Sequence, residues 1–113
     1  EASFTKDYDG YQIVPHTDAV DRVLTMMYYL PRSISDSDAG TVLYRPKEKN
    51  FKSSGASNYA FEGFKEVKRI PYKPNTLFGF VKTNSSFHGV PPLNNVSVDR
   101  DIIHITLHLK SRL

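Results

Sequence analysis

The sequence predicts a mainly β protein with little helix, folded as a sandwich or a barrel. Seven or eight short segments rich in β-forming residues are separated by turn-forming residues, and no segment has a convincing amphipathic helical period. The clearest strand covers residues 101–109, where the odd positions from Ile103 to Leu109 are aliphatic and the even positions after Ile102 are polar. This alternation is typical of a strand with one buried face.

Prolines and turn residues set the limits of the other strands. Pro31 and Pro46 each close a run of β-forming residues, because proline cannot donate a ladder hydrogen bond. Residues 33–40 are rich in Ser, Asp and Gly and predict a turn, whereas residues 47–63 have no clear period and predict a long loop. The remaining predicted strands are 11–14, 22–30, 41–45, 66–72, 76–82 and 88–90.

Length and composition exclude several classes of protein. We expect the 113 residues to form a single domain over 1–113. No apolar run approaches the roughly 20 residues of a membrane helix, and the N-terminal EASFTKDYDG does not resemble a signal peptide. The absence of cysteine excludes disulfides, zinc ribbons, iron–sulfur clusters and cysteine nucleophiles. We expect a cytoplasmic protein with no membrane partner.

Positive charge is concentrated in one part of the chain. Residues 45–73 contain eight basic and three acidic residues, a local excess of five positive charges. Such a patch can attract an anionic partner, nucleic acid included. A solvated loop face is the simpler explanation of the excess, and we therefore do not expect nucleic-acid binding.

The triplet His16-Thr17-Asp18 is the most informative local motif. In an extended chain, residues i and i+2 point to the same face, so an imidazole and a carboxylate there can take adjacent positions on one metal ion. His88, just beyond a predicted strand, is the natural third ligand. Two His and one carboxylate on one face of an octahedral ion form the facial triad of non-haem Fe(II) oxygenases.

Arg100 opens the last strand and is a candidate anion-binding residue. A guanidinium pairs with a carboxylate through two charge-assisted hydrogen bonds. The alternative is an ordinary ion pair between Arg100 and its sequence neighbours Asp99 or Asp101.

Several motifs taken together resemble the 2-oxoglutarate- and Fe(II)-dependent oxygenases, especially their prolyl-4-hydroxylase-like branch. The resemblance runs from about residue 11 to residue 109, in the family's order. It implies a double-stranded β-helix (a cupin-like jelly roll). The matching segments are PHTD (15–18), RVLTMMYYLP (22–31), GTVLY (40–44), PNTLFGF (74–80), FHGV (87–90) and RDII (100–103).

The resemblance also implies a role for individual residues. His16, Asp18 and His88 would hold Fe(II) and be catalytic, and Arg100 would bind the 5-carboxylate of the cosubstrate 2-oxoglutarate. A tyrosine after the triplet often adds a hydroxyl to that carboxylate. Tyr29 fits best because it shares a face with Thr25 and Met27, although Tyr28 and Tyr29 are also explained as core aromatics. Ascorbate is a further candidate cofactor.

The chain departs from the family in two places. Residues 91–98 form an insert that predicts an extended loop, and the helices that normally precede the core are missing. The outward stripe of Ile103, Ile105, Leu107 and Leu109 would then lack cover, which suggests a truncated chain, a homodimer or an unpredicted helix. His104 and His108 lie at period two on the last strand, and we expect them to line the barrel or its rim.

The function implied by the resemblance is hydroxylation of a peptidyl or amino-acid side chain, coupled to decarboxylation of 2-oxoglutarate. Loop 47–65, with Phe51, Tyr59, Phe61 and Phe64, is the candidate for contacting substrate, although these aromatics equally serve to anchor the loop. Two alternatives stay open: a non-catalytic cupin-like module that binds a ligand or metal, and a capsid-type or lectin-type jelly roll in which the triplet is fortuitous.

Overall fold

The computed structural model describes residues 1–31, 39–55, 57–93 and 100–110. These residues form eight strands and one short 3-10 helix at Phe61–Gly63, which confirms the predicted mainly β fold with little helix. Among them, no helix has the length and apolar character needed to cross a membrane. The strands are β1 (Ala2–Asp7), β2 (Ile13–His16), β3 (Arg22–Tyr29), β4 (Val42–Pro46), β5 (Phe64–Arg69), β6 (Thr76–Val81), β7 (His88–Val90) and β8 (Arg100–His108).

The strands pair into two antiparallel four-stranded sheets. The long sheet has the order β1-β8-β3-β6, and the short sheet has the order β2-β7-β4-β5. Each sheet therefore joins strands that are distant in sequence, such as β3 with β8 and β2 with β7. Residues widely separated along the chain can meet between the sheets for this reason.

The main hydrophobic core contains residues from both sheets. Met27, Tyr29 and Ile102 come from the long sheet, and Val90 comes from β7 of the short sheet. Tyr72 adds an aromatic ring from a connecting segment, and its centroid lies 5.5 Å from that of Tyr29 in an edge-to-face arrangement. The alternation along β3, with Thr25, Met27 and Tyr29 all buried, is the one that the sequence predicts.

Strand β1 was not predicted, although the other seven strands agree with the prediction to within a few residues. Its sequence, ASFTKD, has only one large apolar residue, so it carries no clear hydrophobic period. It forms because β8 offers a free edge, and it pairs along its whole length from Ala2↔Ile105 to Asp7↔Arg100. The predicted turn at 33–40 and insert at 91–98 lie largely outside the described residues.

The outer face of the long sheet exposes several large apolar side chains. Leu107 and Leu109 of the predicted stripe are 52% and 67% exposed, while Ile103 and Ile105 are half-buried by neighbouring strands. Phe4, Leu77 and Val81 are exposed as well. The predicted homodimer through this face stays a prediction.

Candidate metal centre

Two neighbouring strands of the short sheet bring the three predicted metal ligands together. His16 is the last residue of β2, and its register partner on β7 is His88. The buried Oδ1 atom of Asp18 lies 3.6 Å from Nε2 of His16 and 3.3 Å from Nε2 of His88. One ligand atom from each of the three residues lies within 4.8 Å of the other two.

This geometry fits a divalent first-row metal ion. Ligand atoms about 2.0–2.2 Å from an ion are about 3 Å apart when they occupy adjacent coordination positions. The observed separations are slightly larger, so small side-chain movements would complete the site. Two imidazoles and one carboxylate also form the donor set of the facial triad, which leaves half of an octahedron for other ligands.

Backbone carbonyls determine which imidazole nitrogen each histidine presents to the candidate metal position. Nδ1 of His16 lies 3.0 Å from the Val14 carbonyl oxygen, and Nδ1 of His88 lies 2.9 Å from the Ser86 carbonyl oxygen. A carbonyl can only accept, so each Nδ1 must carry a proton, and in the neutral imidazole Nε2 then keeps the lone pair that a metal ion would bind. This arrangement of outer hydrogen bonds is the one that usually orients metal-binding histidines.

Thr25 orients the carboxylate in the same way. Its Oγ1 donates a hydrogen bond of 2.6 Å to Oδ2 of Asp18, which leaves Oδ1 facing the two histidines. Thr25 lies on β3, so the long sheet supports a ligand held by the short sheet. The sequence placed Thr25 on the inner face but gave no signal for this hydrogen bond.

The electrostatics of the site keep Asp18 ionised. Burial opposes the charge, but the neighbouring His16 and His88 imidazoles and the hydrogen bond from Thr25 outweigh it and hold the pKa of the Asp18 carboxyl well below its usual range. For His16, burial again opposes the charged form, yet Asp18 and the Val14 carbonyl raise the pKa of the imidazole above its ordinary value. An anionic oxygen ligand is therefore present at neutral pH.

A cavity of about 140 Å³ lies directly beside the triad. This volume is below the roughly 300–1,000 Å³ of pockets for drug-sized ligands, so it suits a small molecule. Besides the three ligands, its lining includes Tyr11, Arg22, Met27, Thr41, Arg100 and His104.

Arg100 lines this cavity but already has protein partners. Its Nη1 donates to Oδ2 of Asp7 at 2.7 Å, its Nη2 donates to Oγ1 of Thr41 at 3.3 Å, and its Nε donates to the Ala39 carbonyl. The alternative partners considered from sequence differ from Asp7: Asp101 pairs with Lys6 at 2.7 Å, and Asp99 lies outside the described residues. Asp7 was not predicted as a partner of Arg100, because it belongs to strand β1, which was itself not predicted.

Tyr29 lies one layer behind the cavity. It is fully buried, and its hydroxyl lies 2.7 Å from Oγ1 of Thr41 and accepts a hydrogen bond from the Thr41 N–H at 3.2 Å. The Arg100 guanidinium sits 5.8 Å from the centre of its ring. Tyr28 points to the opposite face, where its hydroxyl lies 3.5 Å from Oδ1 of Asn75. Of the two tyrosines, only Tyr29 contacts residues that line the cavity.

The two histidines of β8 occupy different positions. His104 lines the cavity, and burial followed by the nearby Arg100 charge lowers the pKa of its imidazole. His108 is exposed near the start of β3, where its ring lies 2.9 Å from Oγ1 of Thr106 and 3.4 Å from Oδ2 of Asp21.

The aromatic residues of loop 47–65 mainly anchor that loop. Phe51, Tyr59 and Phe64 pack against Phe87, with ring centroids 5.0–6.1 Å from the Phe87 ring. Phe61 instead lies 6.1 Å from the ring of Tyr44. These contacts support the anchoring alternative, and a direct role of these side chains in binding substrate stays a prediction.

The same loop supports the ligand segment through its backbone. Thr17 donates from Oγ1 to the Ser53 carbonyl at 3.1 Å. Gly55 has φ +120°, and a Cβ atom at this position would lie 2.2 Å from the Asp18 carbonyl oxygen. Only glycine fits here without displacing Asp18. A glycine within a Ser-rich loop was the one available sequence signal for this contact.

Comparisons with known proteins neither support nor oppose the resemblance, which therefore rests on the residues alone. No model of a known protein family matches the chain, and a search of curated proteins also gives no match.

Proposed function

We propose that this chain is the catalytic core of a non-haem Fe(II) oxygenase that uses 2-oxoglutarate and hydroxylates a peptidyl or amino-acid side chain. The observation that carries the proposal is the preorganised triad. His16 and Asp18 from one segment converge with His88 from another, and hydrogen bonds to their outer atoms already turn the ligand atoms toward one point. A fortuitous triplet would not be expected to have all three of these supports.

The strand pairing supports a double-stranded β-helix as the finer description of the fold. β1 pairs with β8, β2 with β7, β3 with β6 and β4 with β5, and successive pairs alternate between the two sheets. This nested order is that of an eight-stranded jelly roll. A site between the two sheets is a common place for ligands in such folds.

Each residue around the cavity then has a defined task. His16, Asp18 and His88 would hold Fe(II), while Arg100 and Thr41 would bind the distal carboxylate of the cosubstrate. Tyr29 would position both, since it hydrogen bonds to Thr41 and its ring lies against Arg100. When bound, Fe(II) and 2-oxoglutarate would supply the oxidising chemistry with O₂ as the oxidant: one oxygen atom of O₂ enters succinate as 2-oxoglutarate loses CO₂, and the other enters the hydroxylated C–H bond.

A second function is favoured by one observation, the pairing of Arg100 with Asp7. Because Arg100 is neutralised by a protein carboxylate, it has less attraction for a cosubstrate carboxylate. A cupin-like module that binds a metal without 2-oxoglutarate needs no free arginine. The two functions differ in whether the bound metal reacts with 2-oxoglutarate.

Succinate formation tests the proposal even when the substrate is unknown, because such oxygenases slowly turn over their cosubstrate alone. We expect iron-dependent succinate from the wild-type chain and its loss in His16→Ala, Asp18→Ala and His88→Ala. His108→Ala is the matched control, since it removes a histidine outside the cavity. Metal binding without succinate would favour the binding module, and succinate formation that survives all three substitutions would contradict the proposed site.

A further inference from the structure

Arg22 is a second arginine beside the candidate metal centre, and its side chain is largely unpaired. It opens β3, lines the cavity, and places Nη1 3.6 Å from Oδ1 of Asp18. This distance is too long for a hydrogen bond. Its Nε atom is buried and has no hydrogen-bond partner among the described residues.

The contrast with Arg100 is informative. All three guanidinium nitrogens of Arg100 have acceptors, and its charge is compensated by Asp7 at 2.7 Å. Within the described part of the chain, the acidic partner of Arg22 is the distant Asp18, a carboxylate that would become a metal ligand once the triad is filled. A buried donor without an acceptor is costly, so the fold retains at Arg22 a binding capacity that its own residues do not use.

We propose that Arg22 binds a carboxylate of the substrate and thereby sets which carbon faces the metal. This inference rests on the proposed oxygenase function. It narrows the substrate to a carboxylate-bearing compound, such as a free amino acid or an acidic side chain. The planar guanidinium suits bidentate recognition of a carboxylate. The small cavity volume of about 140 Å³ agrees with a compact group entering at this point.

The position of Arg22 distinguishes this role from that of Arg100. Arg22 lies on β3 close in sequence to the ligand segment, lines the cavity, and has a side chain that is 29% exposed. Arg100 is 3% exposed and lies deeper. Arg22 thus lies nearer to solvent than Arg100, and both arginines line the cavity beside the triad.

Matched probes test the inference without knowledge of the natural substrate. The probes are N-acetylglycine and acetate, with N-acetylglycinamide and acetamide as neutral counterparts. The chain is loaded with Mn(II) and 2-oxoglutarate, and binding is measured from the Mn(II)-induced relaxation of probe protons. We expect the wild type to bind the carboxylates about tenfold to hundredfold more tightly than the amides.

Variants identify the residue responsible for that preference. Arg22→Gln should remove it and Arg22→Lys should keep part of it, whereas Arg45→Gln should leave it unchanged because Arg45 is exposed on the short sheet. Equal binding of carboxylates and amides by the wild type, or a preference that survives in Arg22→Gln, would overturn the inference.

Two further outcomes separate this inference from the function on which it rests. If Mn(II) does not bind to the wild type, the proposed function fails first, and with it the substrate role of Arg22. If Mn(II) binds and Arg22→Gln instead weakens 2-oxoglutarate tenfold or more, Arg22 binds the cosubstrate, and its assignment to substrate is wrong.

Discussion

The three ligand residues owe their orientation to groups that are themselves ordinary in sequence. Two backbone carbonyls fix the imidazoles of His16 and His88, and Thr25 fixes the carboxylate of Asp18. The spacing of His16 and Asp18, together with the resemblance that adds His88, predicted that these three residues come together, and the structure does bring them together. The supporting hydrogen bonds were not predictable, because they depend on strands that meet only after folding.

Loss of the Thr25 hydroxyl should weaken metal binding while the fold persists. Thr25→Val removes the hydrogen bond to Oδ2 of Asp18, so we expect Mn(II) affinity to fall about 10–100-fold in calorimetric titration. Thr76→Val is the matched control. Thr76 lies on the edge strand β6, away from the cavity, and its hydroxyl donates a hydrogen bond to the Pro74 carbonyl. Equal affinities for Thr25→Val and wild type would show that the carboxylate needs no such support.

The cavity histidine should contribute a recognisable pH dependence. Burial lowers the pKa of His104 below its ordinary 6.5, so the unfolded chain binds a proton that the folded chain does not. The stabilising effect of neutral His104 is present above pH 6.5 and is lost as the pH falls toward the folded-state pKa. We expect the stability of metal-free wild type to fall more steeply than that of His104→Gln over this window, as measured by urea unfolding. Parallel curves would contradict the lowered pKa.

Strand β1 and loop 47–65 each support the candidate site through a contact that the sequence did not reveal. β1 carries Asp7 to Arg100 across the β1–β8 register, and the loop carries Gly55 to the backbone of Asp18. Neither element has a hydrophobic period, so pattern-based reasoning could not assign it a structural role. The strands with regular alternation, β3 and β8, were predicted almost residue by residue.

Removing the charge of Asp7 should have opposite effects on stability and on cosubstrate binding. Asp7→Asn leaves a buried guanidinium without its counter-charge, which typically costs about 3–5 kcal/mol in unfolding free energy. The same change frees Arg100, so we expect tighter binding of 2-oxoglutarate by calorimetry on the Mn(II)-loaded chain. Lys6→Gln breaks the other ion pair of the same strand, whose cation is 31% exposed, and should therefore cost less than Asp7→Asn. Weaker 2-oxoglutarate binding in Asp7→Asn would mean that Asp7 positions Arg100 rather than competing with the cosubstrate.

A side chain at Gly55 should disturb the metal centre from outside the cavity. Gly55→Ala combines an unfavourable backbone angle with a contact of 2.2 Å to the Asp18 carbonyl, so Asp18 must move. We expect a loss of about 1–3 kcal/mol in stability and a measurable drop in Mn(II) affinity. Gly63→Ala is the control, because nothing lies within 4 Å of its added Cβ. Unchanged metal binding in Gly55→Ala would show that the loop does not support the ligand segment.

In the molecule as a whole, the candidate site lies between two sheets, and each sheet is formed by strands that are distant in sequence. The sequence predicted the β class, the inner faces of β3 and β8, and the residues that converge at the site. It did not predict the Asp7–Arg100 pair, because strand pairing at an edge depends on backbone groups and not on side-chain pattern. That buried ion pair is also the feature that separates the two candidate functions.

Anaerobic addition of Fe(II) and then 2-oxoglutarate, followed by the visible spectrum, distinguishes those functions in one step. For an oxygenase we expect a metal-to-ligand charge-transfer band that requires both additions. At limiting 2-oxoglutarate the band should be lost in Arg100→Met and kept in His108→Ala. Iron that binds by calorimetry but gives no band with 2-oxoglutarate would contradict the oxygenase and favour the metal-binding module, and binding of neither would contradict both functions.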